Sequence, residues 1–237
     1  MDVLYIVIPA YNEEENIKNT IEEWYPIIEK YNGENGRSRL VIVDDGSKDS
    51  TFKIMQEYAE KLPYMEAVSK SNSGHGATVL FAYKYAVQQG ADFIFQTDSD
   101  GQTRAEEFHY FWSMRNKYDL IIGYRNNRKD GKSRVFVTKV LKLVLKICFG
   151  TEILDANAPF RLVSSESLKE CLKIIPEDYN LANVIMSVYY VKHKYDVKWV
   201  PITFEARKKG KNSINLKKIF IIGCKALADF NTIRKEI

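Results

Sequence analysis

The chain has 237 residues, of which 45% are hydrophobic and 28% are charged, and its formal net charge is +4. These values suit one large packed α/β domain, with or without a small appendage, and so small a net charge does not indicate a nucleic-acid partner. The cysteines show no C-x-x-C spacing, which argues against a disulfide framework or a zinc site and favours the reducing cytoplasm. We expect no signal peptide and no membrane-spanning helix, because no apolar run reaches about 18 residues.

Strand and helix patterns alternate along the first half of the chain. Continuous apolar, β-branched runs predict buried strands, and apolar residues at helical spacing predict the helices between them. The predicted strands cover residues 3–10, 39–47, 65–70, 91–100 and 118–125, and the helices cover 11–31, 49–62, 71–90 and 104–117. This alternation predicts a single, mostly parallel sheet with helices on both faces.

The second half of the chain is less regular. Helices are predicted over residues 134–150 and 180–194, a turn, short strand and helix over 155–175, and a further strand over 196–207. The last segment, 214–237, has the pattern of an amphipathic helix.

Polar clusters follow four of the predicted strands. In an open parallel sheet, ligands bind outside the carboxyl ends of the strands, so these clusters are expected along one edge. They are Tyr11-Asn12-Glu13, Asp44-Asp45-Gly46-Ser47, Asp98-Ser99-Asp100 and Gly123-Tyr124-Arg125.

The segment Asp98-Ser99-Asp100 contains two carboxylates one residue apart. Asp-x-Asp is a short pattern that also occurs in ordinary turns. If the strand continues to Asp100, both carboxylates point the same way, and Gln102 adds an amide oxygen of the same parity. Such oxygens suit Mg²⁺ or Mn²⁺, completed by water and phosphate.

A divalent cation with few protein ligands implies a phosphorylated partner such as a nucleoside diphosphate. The sequence has no G-x-G-x-x-G after the first strand and no G-x-x-x-x-G-K-[ST] motif. This weakens the interpretation as a dinucleotide-binding dehydrogenase or a P-loop protein.

Six segments in order resemble glycosyltransferase family 2, within the branch around dolichyl-phosphate mannose synthase and the bacterial polyprenyl-phosphate glycosyltransferases. They are VIPAYNEEENI, VIVDDGSKDST, SGHGAT, TDSDGQ, DANAPFRLV and FEARKKGKNSI. The resemblance implies a GT-A-like α/β fold over residues 1–213, with a nucleotide-sugar and metal half (1–125), an acceptor half (126–213) and a C-terminal amphipathic helix (214–237).

The resemblance also implies roles for individual residues. The implied nucleotide-binding residues are Pro9, Tyr11, Glu13, Asp44, Asp45 and Asp98. The implied metal ligands for Mg²⁺ or Mn²⁺ are Asp98, Asp100 and Gln102. The implied acceptor-phosphate residues are Arg125, Arg134, Thr138 and Ser213, and Arg207 is expected to assist catalysis as a cation.

Asp155 is a candidate general base for a hydroxyl acceptor, because a hydroxyl must lose its proton whereas a lipid phosphate need not. It is equally interpretable as a turn residue that caps the next helix or pairs with Arg161. The chain departs from the family pattern around it, with D-A-N-A-P-F-R in place of D-x-x-S-G-F-R, and Asn183 stands where relatives often have glutamate.

We therefore expect an inverting, metal-dependent enzyme that transfers a sugar from a UDP- or GDP-linked donor to a polyprenyl phosphate or a lipid-linked glycan. A sugar nucleotidyltransferase is the competing enzyme, although it should carry a glycine-rich loop where this chain has AYNEEE. A nucleotide-binding GT-A domain without catalysis is the third alternative.

Lys139, Lys142 and Lys146 recur at helical spacing, with Val140, Leu141, Val144 and Leu145 between them. This pattern fits the solvated face of a structural helix, or a helix that lies on an anionic membrane surface. With the second alternative, the expected location is the cytoplasm, peripherally attached to the inner face of the cell membrane.

Overall fold

The described strands form one seven-stranded sheet that organises the fold. The computed structural model describes residues 2–33, 36–125, 132–206, 229–234 and 236–237, with the backbone alone for 132–137. The strands are β1 (Leu4–Ala10), β2 (Arg39–Asp44), β3 (Met65–Ser69), β4 (Phe93–Gln96), β5 (Leu120–Arg125), β6 (Arg161–Ser164) and β7 (Val197–Ile202). Their order across the sheet is β3-β2-β1-β4-β6-β5-β7. Only β6 among these strands pairs antiparallel with its neighbours, so the predicted mostly parallel sheet is confirmed.

Helices cover both faces of the sheet, as the alternating pattern predicted. They are α1 (Ile17–Tyr31), α2 (Thr51–Ala59), α3 (His75–Gln88), α4 (Phe108–Ser113), α5 (Lys132–Phe149), α6 (Ser165–Ile174) and α7 (Ala182–Lys192). In β1, Ile6 and Ile8 pack in the core on the side of α1, α2 and α4, whereas Tyr5 and Val7 pack on the side of α3, α5, α6 and α7. Both faces of β1 are therefore buried, which explains its continuous apolar sequence.

A cluster of aromatic rings holds the centre of the sheet against α1 and α4. The Phe95 ring lies 4.6 Å from Phe160 and 4.9 Å from Phe108, both edge to face. Trp24 completes the cluster from α1, 5.4 Å from Phe95. Because Phe160 immediately precedes β6, this packing fixes the start of β6 beside β4.

The fourth strand is shorter than the sequence suggested. β4 ends at Gln96, so Asp98 and Asp100 lie in the following loop and not on an extended strand, and the parity argument for them was wrong. The loop closes through side chains: the hydroxyls of Thr97 and Thr103 lie 2.8 Å apart, and Ser99 Oγ donates to the Pro9 carbonyl. Such local bonds compete with strand pairing.

Two predicted helices also differ from expectation. The helix predicted over 104–117 divides into α4 and two short 3-10 turns, at Ala105–Glu107 and Arg115–Lys117. Of the predicted final helix, residues 229–233 are helical, and residues 214–228 lie outside the described residues. The strands of both predicted halves belong to one sheet.

Candidate active site

Three of the predicted polar clusters meet at the carboxyl ends of β1, β2 and β4. The backbone N–H of Asp45 donates to the Ala10 carbonyl over 2.9 Å, and that of Asn12 donates to Ser47 Oγ over 2.9 Å. Ser99 Oγ reaches the Pro9 carbonyl from the third loop at 3.0 Å. The sequence argument that strand ends collect functional groups at one edge is confirmed for these loops.

The turn after β1 exposes one aromatic ring. Tyr11 is 43% exposed, whereas Pro9 and Glu13 are buried. The Glu13 carboxylate accepts a 2.7 Å bond from Asn16 Nδ2, and Asn12 adopts a left-handed φ of 53° that its contacts with Ser47 and Lys48 maintain. Of the three residues, Tyr11 is the one whose side chain reaches the surface of the edge. A nucleotide-binding role for Pro9, Tyr11 and Glu13 stays a prediction.

Asp44 and Asp45 are buried and anchor backbone at the site. The Asp44 carboxylate accepts from the N–H groups of Gly46 and Ser47 and from Ser69 Oγ. Asp45 is paired with Lys70 at 2.6 Å. A direct contact of either aspartate with a nucleotide is not tested by these bonds and stays a prediction.

Asp45 also holds the glycine-rich turn that begins α3. Its oxygens accept from the N–H groups of Ser73 and Gly74, each at 2.9 Å. Burial acts to raise the pKa of Asp45, but the hydrogen bonds from Lys70, Ser73, Thr78 and Gly74 outweigh it and lower the pKa. The aspartate is therefore held as a carboxylate.

The glycine at position 76 allows a close approach to another segment. A Cβ at Gly76 would collide with the carbonyl groups of Tyr179 and Asn180. The α3 turn therefore packs directly against the backbone that precedes α7. Sequence reasoning noted the glycines but had no signal for this partner, which lies about 100 residues away in the chain.

Asp98 carries the feature that best fits a metal site. Its Oδ1 atom is buried and has no hydrogen-bond partner among the described residues, with His75 Nε2 at 3.8 Å. A buried carboxylate oxygen without a donor is unfavourable unless a cation or water satisfies it. The loop also brings Asp100, whose Oδ1 accepts from the Gln102 N–H at 3.2 Å.

Few protein side chains near Asp98 and Asp100 are available as metal ligands. Within the described parts of the chain, no group of three or more histidine, cysteine, aspartate or glutamate residues could hold a metal ion. Gln102 is buried, and its Nε2 donates to the Glu205 carbonyl at 2.7 Å. The residues present fit a cation that takes its other ligands from a phosphorylated substrate, with Asp98 and Asp100 as the protein carboxylates.

Arg125 and Asp155 form a buried pair at the end of β5. The guanidinium donates to both carboxylate oxygens, each at 2.8 Å, and the Arg125 N–H adds a third bond at 3.2 Å. Their side chains are only 9% and 6% exposed. Asp155 is thus bonded directly to Arg125, whereas its effect on Arg161, the pairing considered from the sequence, is electrostatic: the bonds of Arg161 go to carbonyl oxygens.

Several predicted site residues are described in part or not at all. Arg207 and Ser213 lie outside the described residues, and so does the side chain of Arg134 within α5. Thr138 is half-buried on α5. Their predicted roles stay predictions.

Helix α5 carries an exposed apolar stripe, formed by Val140, Leu143 and Ile147. These side chains are 42%, 59% and 72% exposed, and Leu154 nearby is 49% exposed. Of the predicted apolar set, Leu145 is buried and Leu141 and Val144 pack against the core, so only Val140 belongs to the stripe. The exposed positions follow a spacing of three and four, but Leu143 and Ile147 were not singled out from the sequence.

Comparisons with known proteins agree with the fold and the sequence motifs. The family model described as glycosyl transferase family 2 matches residues 5–172. A UDP-N-acetylglucosamine–dolichyl-phosphate N-acetylglucosaminyltransferase of Methanococcus voltae is 28% identical over 187 residues, covering 70% of this chain and 71% of the relative. An undecaprenyl-phosphate 4-deoxy-4-formamido-L-arabinose transferase of Pseudomonas savastanoi is 26% identical, covering 66% of this chain and 45% of the relative.

A third relative and two solved structures extend the comparison. A dolichyl-phosphate beta-glucosyltransferase of Trichomonas vaginalis is 29% identical, covering 69% of this chain and 54% of the relative. The chain therefore spans about half the length of this relative and of the one from Pseudomonas savastanoi. Glucosyl-3-phosphoglycerate synthase of Mycobacterium tuberculosis, solved with Mn²⁺, UDP and phosphoglyceric acid, has a TM-score of 0.72 at 15% identity, covering 98% of this chain and 78% of that one. TarS of S. aureus with UDP-GlcNAc has a TM-score of 0.63 at 19% identity, covering 96% of this chain and 66% of that one. These two likenesses show a shared fold.

Proposed function

The chain belongs to glycosyltransferase family 2, and from that membership we propose that it transfers a sugar from a nucleoside-diphosphate donor, UDP- or GDP-linked, to a polyprenyl phosphate or a lipid-linked glycan. The observation that carries the proposal is the buried Oδ1 of Asp98, which has no hydrogen-bond partner among the described residues, at the edge where β1, β2 and β4 end. A divalent cation that takes its remaining ligands from a diphosphate would satisfy that oxygen.

Asp98 and Asp100 would hold the Mg²⁺ or Mn²⁺ ion. When bound there, the cation neutralises the negative charge that grows on the departing diphosphate. The nucleotide-sugar half would contribute the exposed Tyr11 ring, which follows Ala10, the residue whose carbonyl accepts from the Asp45 N–H. Solved neighbours of the same fold bind Mn²⁺ with UDP, which supports this choice of ligands.

The proposed acceptor, a polyprenyl phosphate or lipid-linked glycan, is supported by the Arg125–Asp155 pair at the end of β5 and by the named relatives. Two of them act on dolichyl phosphate and one on undecaprenyl phosphate. A lipid phosphate is already anionic and attacks the anomeric carbon without a base. This agrees with an Asp155 whose oxygens are engaged by Arg125. Arg125, Arg134, Thr138 and Ser213 are the proposed phosphate contacts, and Arg207 the proposed additional cation.

Attachment to a membrane surface is part of the proposal. In the described residues, no helix combines the length and apolarity needed to span a bilayer. The α5 stripe is flanked by the exposed Lys139 and Lys142, and Lys146 pairs with the exposed Glu152. An apolar stripe bordered by lysines fits the surface of an anionic membrane, so the proposed location is peripheral, on the cytoplasmic face.

The donor half can be tested by ligand-induced stabilisation, because a ligand that binds only the folded state raises its melting temperature. UDP- and GDP-linked sugars are added with and without Mn²⁺ to the unmodified protein, to Asp98→Asn and to the control Asp178→Asn. We expect Mn²⁺-dependent stabilisation by one nucleotide class in the unmodified protein and the control, and its loss in Asp98→Asn. Stabilisation that is independent of Mn²⁺ and intact in Asp98→Asn would contradict the proposed site. Release of pyrophosphate from a nucleoside triphosphate and a sugar phosphate would identify a nucleotidyltransferase instead.

A further inference from the structure

Arg161 is a fully buried cation, and no acid among the described residues is bonded directly to it. Its exposure is 0%, and its Nε and Nη2 atoms donate to the carbonyl oxygens of Ala158 and Ala156. Its Nη1 atom has no hydrogen-bond partner among the described residues. Burying a guanidinium in this way is costly, so a purely apolar residue would serve packing better.

The two carbonyls that Arg161 binds belong to the turn at residues 155–158. The turn is closed by the Ala158 N–H, which donates to the Asp155 carbonyl at 3.2 Å. Ser187 Oγ, from α7, donates to the same Ala156 carbonyl at 3.1 Å. Two side chains therefore hold the turn through its carbonyl groups: Arg161 from β6 and Ser187 from α7.

The other side of this turn carries the Asp155 carboxylate. Asp155 holds the Arg125 guanidinium through two 2.8 Å bonds, and the Phe204 ring lies 5.1 Å from that guanidinium. A planar guanidinium held by both oxygens of one carboxylate has a fixed orientation. A continuous series of contacts thus runs from Arg161 through the turn and Asp155 to Arg125.

Arg161 also lies next to β4, the strand that leads to Asp98. Gln96 is its cross-strand partner, and Tyr83 Oη donates to Gln96 Oε1 at 3.1 Å. Gln96 is the last residue of β4, two positions before Asp98. Arg161 therefore lies between β4, which leads to the loop with Asp98 and Asp100, and the turn that carries Asp155.

We propose that Arg161 is a positioning residue for the acceptor phosphate: by binding the carbonyls of Ala156 and Ala158, it sets the turn so that Asp155 orients Arg125 toward that phosphate. This inference rests on the proposed function. It also gives Asp155 an orienting role, in place of the general-base role considered from the sequence. Ser187 supports the same turn with a single neutral hydrogen bond.

The test separates acceptor binding from folding stability. Affinity for geranyl phosphate, a short-chain prenyl phosphate, and for the nucleotide-sugar donor is measured calorimetrically in the unmodified protein, Arg161→Lys and Ser187→Ala. A lysine keeps the charge but cannot bind two carbonyls in the same geometry. We expect the dissociation constant for geranyl phosphate to rise about tenfold in Arg161→Lys and about threefold in Ser187→Ala. Donor affinity should change less than about twofold.

Val163→Ala provides the matched control. Val163 is fully buried on β6, two residues from Arg161 and in the core on the same side of the sheet, and it does not contact the turn through hydrogen bonds. This variant should lower the melting temperature and leave geranyl phosphate affinity unchanged.

The inference would be overturned if Ser187→Ala and Arg161→Lys both bind geranyl phosphate with unchanged affinity. It would also be overturned if Arg161→Lys fails to fold and Ser187→Ala binds with unchanged affinity. So would absence of binding by the unmodified protein. Phosphate binding that responds to both variants, without any sugar transfer, would contradict the proposed function and leave the positioning role standing.

Discussion

Lys70 Nζ lies 2.6 Å from Asp45 Oδ1, and this pair joins the end of β2 to the turn that begins α3. Lys70 also donates to the Ser71 carbonyl and to Ser73 Oγ, so one ammonium group gathers the backbone of the turn around the Asp45 carboxylate. Side chains of the protein itself thereby hold the glycine-rich turn in place.

This pairing predicts a specific acid sensitivity. The pKa of Asp45 is lowered in the folded protein, so the pair contributes its full stability above the ordinary aspartate pKa of 3.8 and loses it as the pH falls through the lower folded value. Asp45→Asn should lower the free energy of unfolding at pH 7 by about 2 kcal/mol. It should also flatten the decrease in stability below about pH 4.

Urea unfolding at pH 7 and at lower pH measures both effects. The control is Glu57→Gln, at an exposed acid of α2, which should change stability little at any pH. An Asp45→Asn variant as stable as the unmodified protein at pH 7 would contradict the structural role of the pair.

The Gly76 position predicts a steric effect. Gly76→Ala forces a Cβ into the Asn180 carbonyl and should cost on the order of 2–3 kcal/mol of stability. Gly150→Ala is the comparison, because Gly150 has a φ of 70° but open space around it, and its cost should be about 1 kcal/mol from backbone strain alone. Equal costs in thermal unfolding would show that the α3 turn does not pack as closely as described.

Asp155 leads to a prediction about the pH dependence of transfer. Because its oxygens orient Arg125, Asp155→Asn should raise the KM for the acceptor phosphate by about tenfold or more, while the pH profile of kcat keeps its shape. The measurement is steady-state transfer between pH 5.5 and 9 at saturating donor. A kcat profile that loses its rising limb in this variant would instead restore Asp155 as a general base.

The α5 stripe predicts salt-sensitive binding to anionic vesicles. Replacing Lys139 and Lys142 together by glutamine should weaken vesicle binding by about tenfold or more at low salt, and Leu143→Glu should weaken it further by removing apolar contact. Co-sedimentation with vesicles containing phosphatidylglycerol, at low and high salt, measures this. Tyr110→Glu is the control, since Tyr110 is 56% exposed on α4 at the other face of the sheet. Equal losses from Tyr110→Glu and Leu143→Glu would rule out α5 as the membrane-facing surface.

The sequence predicted the architecture because strand and helix patterns alternate over most of the chain. β1 and β2 are buried on both faces and read as continuous apolar runs, and their polar ends collect at one edge. The extent of β4 could not be read, because Thr97, Ser99 and Thr103 end the strand through hydroxyl contacts with distant backbone and with each other.

Polar pairs between residues far apart in the chain were the second feature that could not be predicted from the sequence. Arg125 and Asp155 were singled out separately, but their pairing depends on β5 and β6 lying side by side. Glu205 was not singled out, although it binds Arg104 and its backbone accepts from Gln102 across about 100 residues of sequence. Helix periodicity identified α5 as amphipathic but could not say which side the core would cover.

The most direct test of the account is the identity of the product formed from a nucleotide sugar and polyprenyl phosphate. The protein is incubated with UDP- and GDP-linked sugars, undecaprenyl or dolichyl phosphate and Mn²⁺, and the lipid fraction is analysed by mass spectrometry, with Asp98→Asn in parallel. The account predicts a lipid-phosphate sugar with inverted anomeric configuration in the unmodified protein and none in Asp98→Asn. A sugar transferred only to a soluble saccharide or protein, or an equal yield of lipid product from Asp98→Asn, would contradict it.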